Sequence, residues 1–478
     1  MKDYSPKRRT ALVFTGTGTT GAYHAGVLRA LDESGVKIDL VVGSGVGAIT
    51  AAFAAVGGGA KLYGPGGFWD GVRWGALYRL RPPLRVALSL LGVSFAIFAL
   101  PVAVGLLLGI LFPLLLIADR VFPGLASRAL SVLWVAPEAL SGPYLVAQAV
   151  PVVALATLAI VVLSAVYSRR RWRLAEAFEA VLDAEPGLAR LKRGLWRVAR
   201  GAALTGVPAS ETELGRHYVS LLEENLGALG FRELIVRVAD LDSGGPLAFT
   251  LLRPEDPPRT HEDGVDLRAP GQADLFFDAL ATGLLFPVVM PLRRVTFPKG
   301  AVHAGETHRL TDATLVSGCG IAEALAAGAE QLVVVTGAPE EVVPPPRRRG
   351  PLARVDATLR SLEHQAAAEI EATERTNRML STLGHRVGGG RGAWEDPATG
   401  EVAREVDLWV IRPRRRGLGP AELDGASDPS TEVLQTTDDL VERGFRDAYR
   451  QFIEPVVGQA PLPEREEGKY RDSQAVGL

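Results

Sequence analysis

Two long apolar runs interrupt an otherwise alternating pattern: residues 86–118 and 139–168 contain no charged side chain. Each exceeds the roughly 20 apolar residues needed to cross a bilayer. Outside them, short apolar stretches alternate with longer segments of helical period. The stretches predict strands at Ala11–Thr15, Asp39–Val42, Leu234–Val238, Leu247–Leu251, Gln331–Thr336 and Val406–Ile411. Helices are expected at Ala22–Ser34, Ala48–Val56, Leu174–Asp183 and Ile321–Ala327, over about 352–383, and over about 437–453. Strands alternating with helices imply an α/β fold with a doubly wound sheet, whose ligand crevice opens at the carboxyl ends of the strands.

The two apolar runs are bracketed by Arg79, Arg81 and Arg85 before and by Arg169, Arg170, Arg171 and Arg173 after, with only Arg120 and Arg128 between them. The positive-inside bias then predicts a transmembrane hairpin of two spans, both outer ends cytoplasmic and a short loop, about 119–138, on the far side. A pair of buried core helices is the alternative, but such helices are rarely so long without a polar position. The hairpin divides the chain into 1–80, the insertion 81–173, 174–340, a C-terminal extension 341–460 that completes the domain, and a tail 461–478 rich in Pro and Glu. Met1–Thr10 is polar and leads straight into the first strand, so no secretion signal is read there. The globular part is accordingly expected on the cytoplasmic side of the membrane.

The chain has 478 residues and a formal net charge of −2, which gives no electrostatic reason to expect nucleic acid. Its mean hydropathy of +0.15 comes from the two apolar runs. The single cysteine, Cys319, excludes an internal disulfide and suits a reducing compartment. Its expected role is a packed thiol. No two histidines have metal-ligand spacing on one helix, so neither a metal nor a cofactor is expected. His24, His303 and His308 are read as surface or packing residues. Pro344–Arg349 (PPPRRR) and Arg412–Arg416 (RPRRR) are basic segments that either touch anionic headgroups or lie solvated.

Two glycine-rich turns carry the candidate chemistry. After the first strand, Gly16, Thr17, Gly18, Thr19, Thr20 and Gly21 spell G-x-G-x-x-G, the dinucleotide fingerprint. A dinucleotide site needs an acid at the end of the second strand, where this chain has glycine. The loop therefore reads better as a turn whose backbone N–H groups attract an anion. After the second strand, Gly43-Ser44-Gly45-Val46-Gly47 matches a G-x-S-x-G nucleophile elbow except at its centre, where Gly45 stands in place of serine. The hydroxyl, Ser44, comes one residue early and is expected to point elsewhere.

The segments Ala11–Leu31, Glu224–Phe249 and Asp312–Val335 together resemble the patatin-like phospholipase family: first strand with oxyanion loop and helix, middle strand with hairpin, and the segment bearing the catalytic aspartate. The resemblance implies a three-layer α/β/α domain, here interrupted by the transmembrane hairpin. It also implies a Ser–Asp dyad, in which the carboxylate takes the proton of the attacking oxygen while loop N–H groups hold the oxyanion. The family's aspartate falls on Asp312 and its nucleophile on Gly45. Thr17 replaces the middle loop glycine, Thr20 the basic residue, Ala313 and Thr314 follow the aspartate, and Gly318 and Gly320 stand where the family usually has asparagine and proline. So many departures at one site imply a lost reaction: a membrane-anchored pseudoenzyme that binds a membrane lipid or fatty acid. The alternatives are an active acyl hydrolase using Ser44 and Asp312, and a scaffold for a protein partner that takes no small ligand.

Overall fold

The computed structural model describes residues 4–82, 84–96 apart from 87, 91 and 94, the isolated positions 110, 117, 120, 123 and 124, and then 182–201, 206–254, 264–286, 290–315, 318–340, 366–382, 393–395, 402–414, 426–427 and 434–458. The chain forms two compact units, Met1–Arg79 with Ala184–Leu478, and Leu80–Asp183.

The larger unit is built on a mixed sheet. Its strands are β1 Thr10–Gly16, β2 Leu40–Gly45, β3 Glu233–Asp240, β4 Gly245–Leu251, β5 Val265–Asp266, β6 Arg293–Thr296, β7 Thr307–Asp312, β8 Gln331–Thr336 and β9 Asp407–Ile411. The order β9-β8-β1-β2-β3-β4-β5 runs across it, with β7 paired to both β3 and β6. From β9 to β3 the pairing is parallel, while β4 and β7 both run antiparallel to β3. Every residue of β1, β2 and β8 is buried, as expected for parallel strands covered on both faces.

Alternate residues of these strands serve different layers. Ala11, Val13, Leu40, Val42, Leu332 and Val334 pack with Ile321 and Ala324 of α6 (Ile321–Ala326) and with Ala366 and Ile370 of the helix at 366–382. Phe14 instead meets His24 of α1 (Thr20–Glu33), ring centroids 5.0 Å apart, and lies under α2 (Val46–Ala55). On α1 rests α7, Thr437–Ala448. The two helices touch backbone to backbone, for a Cβ on Gly26 would overlap the carbonyl oxygen of Val441 and one on Gly444 that of Tyr23. A capping box opens α7: Thr436 Oγ1 accepts from the Asp439 N–H at 3.3 Å, and Asp439 Oδ2 accepts from the Thr436 N–H at 2.7 Å. Two amphipathic helices, α3 Glu185–Ala199 and α4 Glu211–Asn225, and the shorter α5 Phe276–Thr282 complete the described helical cover.

Three expectations need correction. No helix among the described residues is long and apolar enough to cross a membrane, so the two-span hairpin finds no support there. Of the expected spans, 86–118 lies mostly and 139–168 wholly outside the described residues. The glycine-rich stretch Gly57–Gly67, whose composition alone reads as a mobile connection, is packed: it holds a short helix, Ala60–Tyr63, with Leu62 fully buried. The last helix does not stop near 453 but widens into a π-helical turn, Tyr449–Val457, that ends at Gly458 with φ +82°. The expected helix at 174–183, the linker 344–349 and the tail 461–478 fall wholly or mainly outside the described residues.

Candidate active site

Register along β3 explains how residues almost 270 positions apart in the sequence are brought together. β2 pairs with β3 as far as Ser44 opposite Arg237, then turns into α2. β7 enters from the other direction and pairs with the next residues of β3, ending with Asp312 opposite Val238. The two strand ends therefore abut on one edge of β3. Asp312 faces the turn at Gly45.

That turn has the geometry of a nucleophile elbow. Gly45 sits at φ +60°, ψ −136°, a conformation that L side chains rarely adopt, and passes directly into the first turn of α2. Its neighbours are glycine because the helix crosses the sheet closely: a Cβ on Gly47 would overlap the carbonyl oxygen of Phe14, and one on Gly43 would press into Ala48. A Cβ on Gly45 itself would stand 2.8 Å from Asp312 Oδ1 and 3.0 Å from Oδ2, and would overlap the carbonyl oxygen of Gly16. The place of a nucleophile is filled by the carboxylate and by the first residue of the glycine loop. From a third side Gly283, just after α5, approaches so closely that a Cβ there would overlap the carbonyl oxygen of Gly45.

Asp312 is 1% exposed. Its Oδ1 accepts from the Thr314 N–H at 2.8 Å, whereas Oδ2 has no hydrogen-bond partner among the described residues. Burial away from water outweighs the Thr314 bond and pushes the pKa up to about 7. Tyr78 is buried beside it, ring centroid 4.7 Å from Phe286, and its hydroxyl is held neutral by burial and then by the charge of Asp312.

Ser44 lies on the other face. Its hydroxyl, 1% exposed, donates to the carbonyl oxygen of Cys319 at 3.3 Å. Cys319 is itself fully buried, and burial raises its thiol well above the ordinary value. Its N–H donates to Glu369, which also accepts from the Ala322 N–H at 3.1 Å and so ties the start of α6 to the helix at 366–382. Gly318 and Gly320 adopt φ +94° and +107° around this turn, and a Cβ on Gly320 would meet Val42 at 2.7 Å. Asparagine or proline would not fit Gly320. Ser44 and Asp312 are thus both at the elbow but serve opposite layers.

The glycine loop is buried throughout. The Thr20, Gly21 and Ala22 N–H groups close tight turns onto Thr17, Gly18 and Thr19 at 3.1–3.2 Å. Thr17 Oγ1, Thr20 Oγ1 and Trp69 Nε1 are buried without hydrogen-bond partners among the described residues. Trp69 packs where a Cβ on Gly21 would point. His24, fully buried on α1, is kept neutral, its pKa pushed by burial down to about 3.

Residues 12–80 match the family model described as patatin-like phospholipase. This stretch carries nearly all of β1, the glycine loop, α1, β2, the elbow and α2, so the resemblance read from the sequence stands over the elements that hold Gly16 to Gly21 and Gly45. No curated protein matches the chain. Among solved structures the chain is similar to the crystal structure of VipD from Legionella pneumophila, with 13% sequence identity and a TM-score of 0.29. That match covers 94% of this chain and 66% of VipD, so the chain spans just under two thirds of the other's length.

Proposed function

We propose that this chain is a patatin-like protein that keeps the lipid-hydrolase architecture, has lost acyl hydrolysis, and binds a membrane lipid or fatty acid at the former active site. The observation that carries this reading is Gly45 itself: the nucleophile position has no hydroxyl, and a Cβ there would press on Asp312 and overlap the Gly16 carbonyl oxygen. Loss of a nucleophile removes orders of magnitude in rate and leaves only what binding and the oxyanion loop supply. Ligand binding is supported by Thr17 Oγ1, Thr20 Oγ1, Trp69 Nε1 and Asp312 Oδ2, which have no partner among the described residues, because buried polar groups are almost always paired. A protonated Asp312 would donate to a carbonyl or carboxylate oxygen of such a ligand.

Attachment to a membrane, with the larger unit on the cytoplasmic side, belongs to the same proposal. Its support lies within the smaller unit, where the described helical residues Val86, Val93 and Phe95 are 59, 52 and 74% exposed. Large apolar side chains so uncovered, within a run of uncharged residues that follows Arg85, call for an apolar surrounding.

Two measurements test the reading on the full chain. Fluorophosphonate labelling of purified protein is expected to be absent, and covalent labelling that disappears in Ser44→Ala would overturn the loss of hydrolysis. Native mass spectrometry from detergent is expected to find a stoichiometric co-purifying acyl lipid that Asp312→Ala reduces. Protein free of lipid, and unable to take up oleate when it is offered, would leave no ligand role.

A further inference from the structure

Below the elbow, at the far end of the β3–β7 pairing, three potential metal ligands from distant parts of the sequence converge. Asp240 closes β3, His308 lies on β7, and His303 sits in the turn between β6 and β7. Asp240 Oδ2 lies 2.6 Å from His308 Nδ1 and 3.8 Å from His303 Nε2, and one donor atom from each residue falls within 4.8 Å of the others. The two imidazoles stack with centroids 4.2 Å apart, and Phe297, almost fully buried, presses edge-on to both at 5.5 and 5.4 Å.

The surroundings hold these groups in place. The turn is fastened by the Phe297 N–H to the Glu306 carbonyl at 2.9 Å, the Gly305 N–H to Phe297 at 3.0 Å and the Glu306 N–H to His303 at 3.0 Å. Asp240 Oδ1 accepts from the Asp242 N–H at 3.0 Å, leaving Oδ2 for the histidines. His308 Nε2 lies 3.1 Å from Glu306 Oε2. When Nε2–H donates there, Nδ1 is free to ligate an ion beside Asp240, the arrangement by which a carboxylate orients a metal-bound histidine. Without an ion, the 2.6 Å contact between Nδ1 and Asp240 Oδ2 is a hydrogen bond whose proton a metal would replace.

We propose that Asp240, His303 and His308 bind one divalent transition-metal ion of the zinc class. Two imidazoles and a carboxylate suit zinc or cobalt and do not suit magnesium or calcium, which prefer all-oxygen sites. Bonds of about 2.0–2.1 Å in a tetrahedral site place neighbouring donors roughly 3.3 Å apart. The 2.6 Å Asp240–His308 pair opens by about 0.7 Å through movement of those two side chains, and the 3.8 Å pair closes by about 0.5 Å as the partly exposed His303 ring turns. The fourth position, beside His303, is left to water. The ion staples the turn and β7 to the end of β3, four residues before Asp312, and is structural with respect to the elbow.

The test uses untagged full chain stripped with a chelator and dialysed. Calorimetric titration with zinc, repeated with cobalt to read tetrahedral coordination in the visible spectrum, is expected to give one ion per chain. Zinc is expected to raise the thermal unfolding midpoint, because it binds the folded state alone. His303→Ala, in a solvent-facing turn, is expected to keep the metal-free midpoint, to weaken zinc at least tenfold and to lose the cobalt spectrum; His303→Gln serves as a second variant that keeps a polar side chain. Absence of stoichiometric zinc binding, or binding in the two His303 variants as tight as in the parent, overturns the site.

Discussion

The carboxylate of Asp312 occupies the space into which a side chain at Gly45 would grow, 2.8 and 3.0 Å from the position of its Cβ. Acid and nucleophile position still face one another, but a Cβ at residue 45 would press on the carboxylate and overlap the Gly16 carbonyl oxygen. Gly45→Ser tests this directly. The new Cβ must displace the Gly16 carbonyl and sit in a backbone conformation that costs side chains on the order of 1–3 kcal/mol. The variant is expected to lose stability by at least that amount in urea unfolding and to show no hydrolysis of a p-nitrophenyl ester. A variant as stable as the parent that reacts with fluorophosphonate would mean that the loop moves aside freely.

Ser44→Ala removes a buried hydroxyl that donates to the Cys319 carbonyl. The expected cost is about 1 kcal/mol, the net value of one such bond, with no change in any ligand binding measured at the elbow. A change in lipid uptake at unchanged stability would put Ser44 in the ligand site after all.

Much of the frame was legible because it is local. β8 runs over the residues expected for it, and β1, β2 and β3 each extend one to three residues past expectation, because uniform burial makes long apolar runs unambiguous. The glycines of the elbow were readable for the same reason: close crossing of strand and helix leaves a short-range signature. β7 was not expected as a strand, since Thr307 and Arg309 are exposed and its register comes from pairing with a β3 end that β2 has vacated. Asp312 came from family resemblance, and only the register shows why it meets Gly45. The amphipathic α3 and α4 were missed, although their apolar positions recur at helical spacing. His303 and His308 looked isolated because their partner, Asp240, lies more than 60 residues earlier.

Gly283→Ala probes the third wall of the elbow. A Cβ there would overlap the Gly45 carbonyl oxygen and stand 2.9 Å from its carbon, and backbone on both sides cannot yield as a side-chain tip does. Overpacking of this kind typically costs about 1–3 kcal/mol. Gly75→Ala, where a Cβ meets nothing within 4 Å, is the control and is expected to be neutral or slightly stabilising. Equal unfolding midpoints for the two variants would show that α5 does not press on the turn.

Attachment through the smaller unit predicts that the full chain sediments with membranes and stays there after alkaline carbonate extraction. Replacing Val86, Val93 and Phe95 together by serine is expected to shift a measurable fraction into the supernatant, since each large apolar side chain is worth about 1.5–3 kcal/mol on burial. A parent chain that is monodisperse without detergent would defeat the membrane reading.

Asp312 makes stability depend on pH in a definite direction. Its pKa rises from 3.8 to about 7 on folding because the carboxyl is buried. Below about pH 4 the group is neutral in both states and costs nothing. Between pH 4 and 7 the unfolded chain releases the proton while the folded chain keeps it, so the folded state binds more protons and stability falls as pH rises; above pH 7 the loss is complete. A shift of about three units corresponds to roughly 4 kcal/mol as an upper limit. Asp312→Asn keeps the shape and abolishes the titration. The stability of the variant relative to the parent is therefore expected to improve steadily from pH 4 to pH 7.5 in urea unfolding, and the Asp240–His308 pair, present in both proteins, cancels from the difference. A difference that stays flat over that range would mean that water already satisfies the carboxylate; an acyl ligand that accepts from the protonated acid would instead steepen the dependence, and repeating the series after delipidation shows its share.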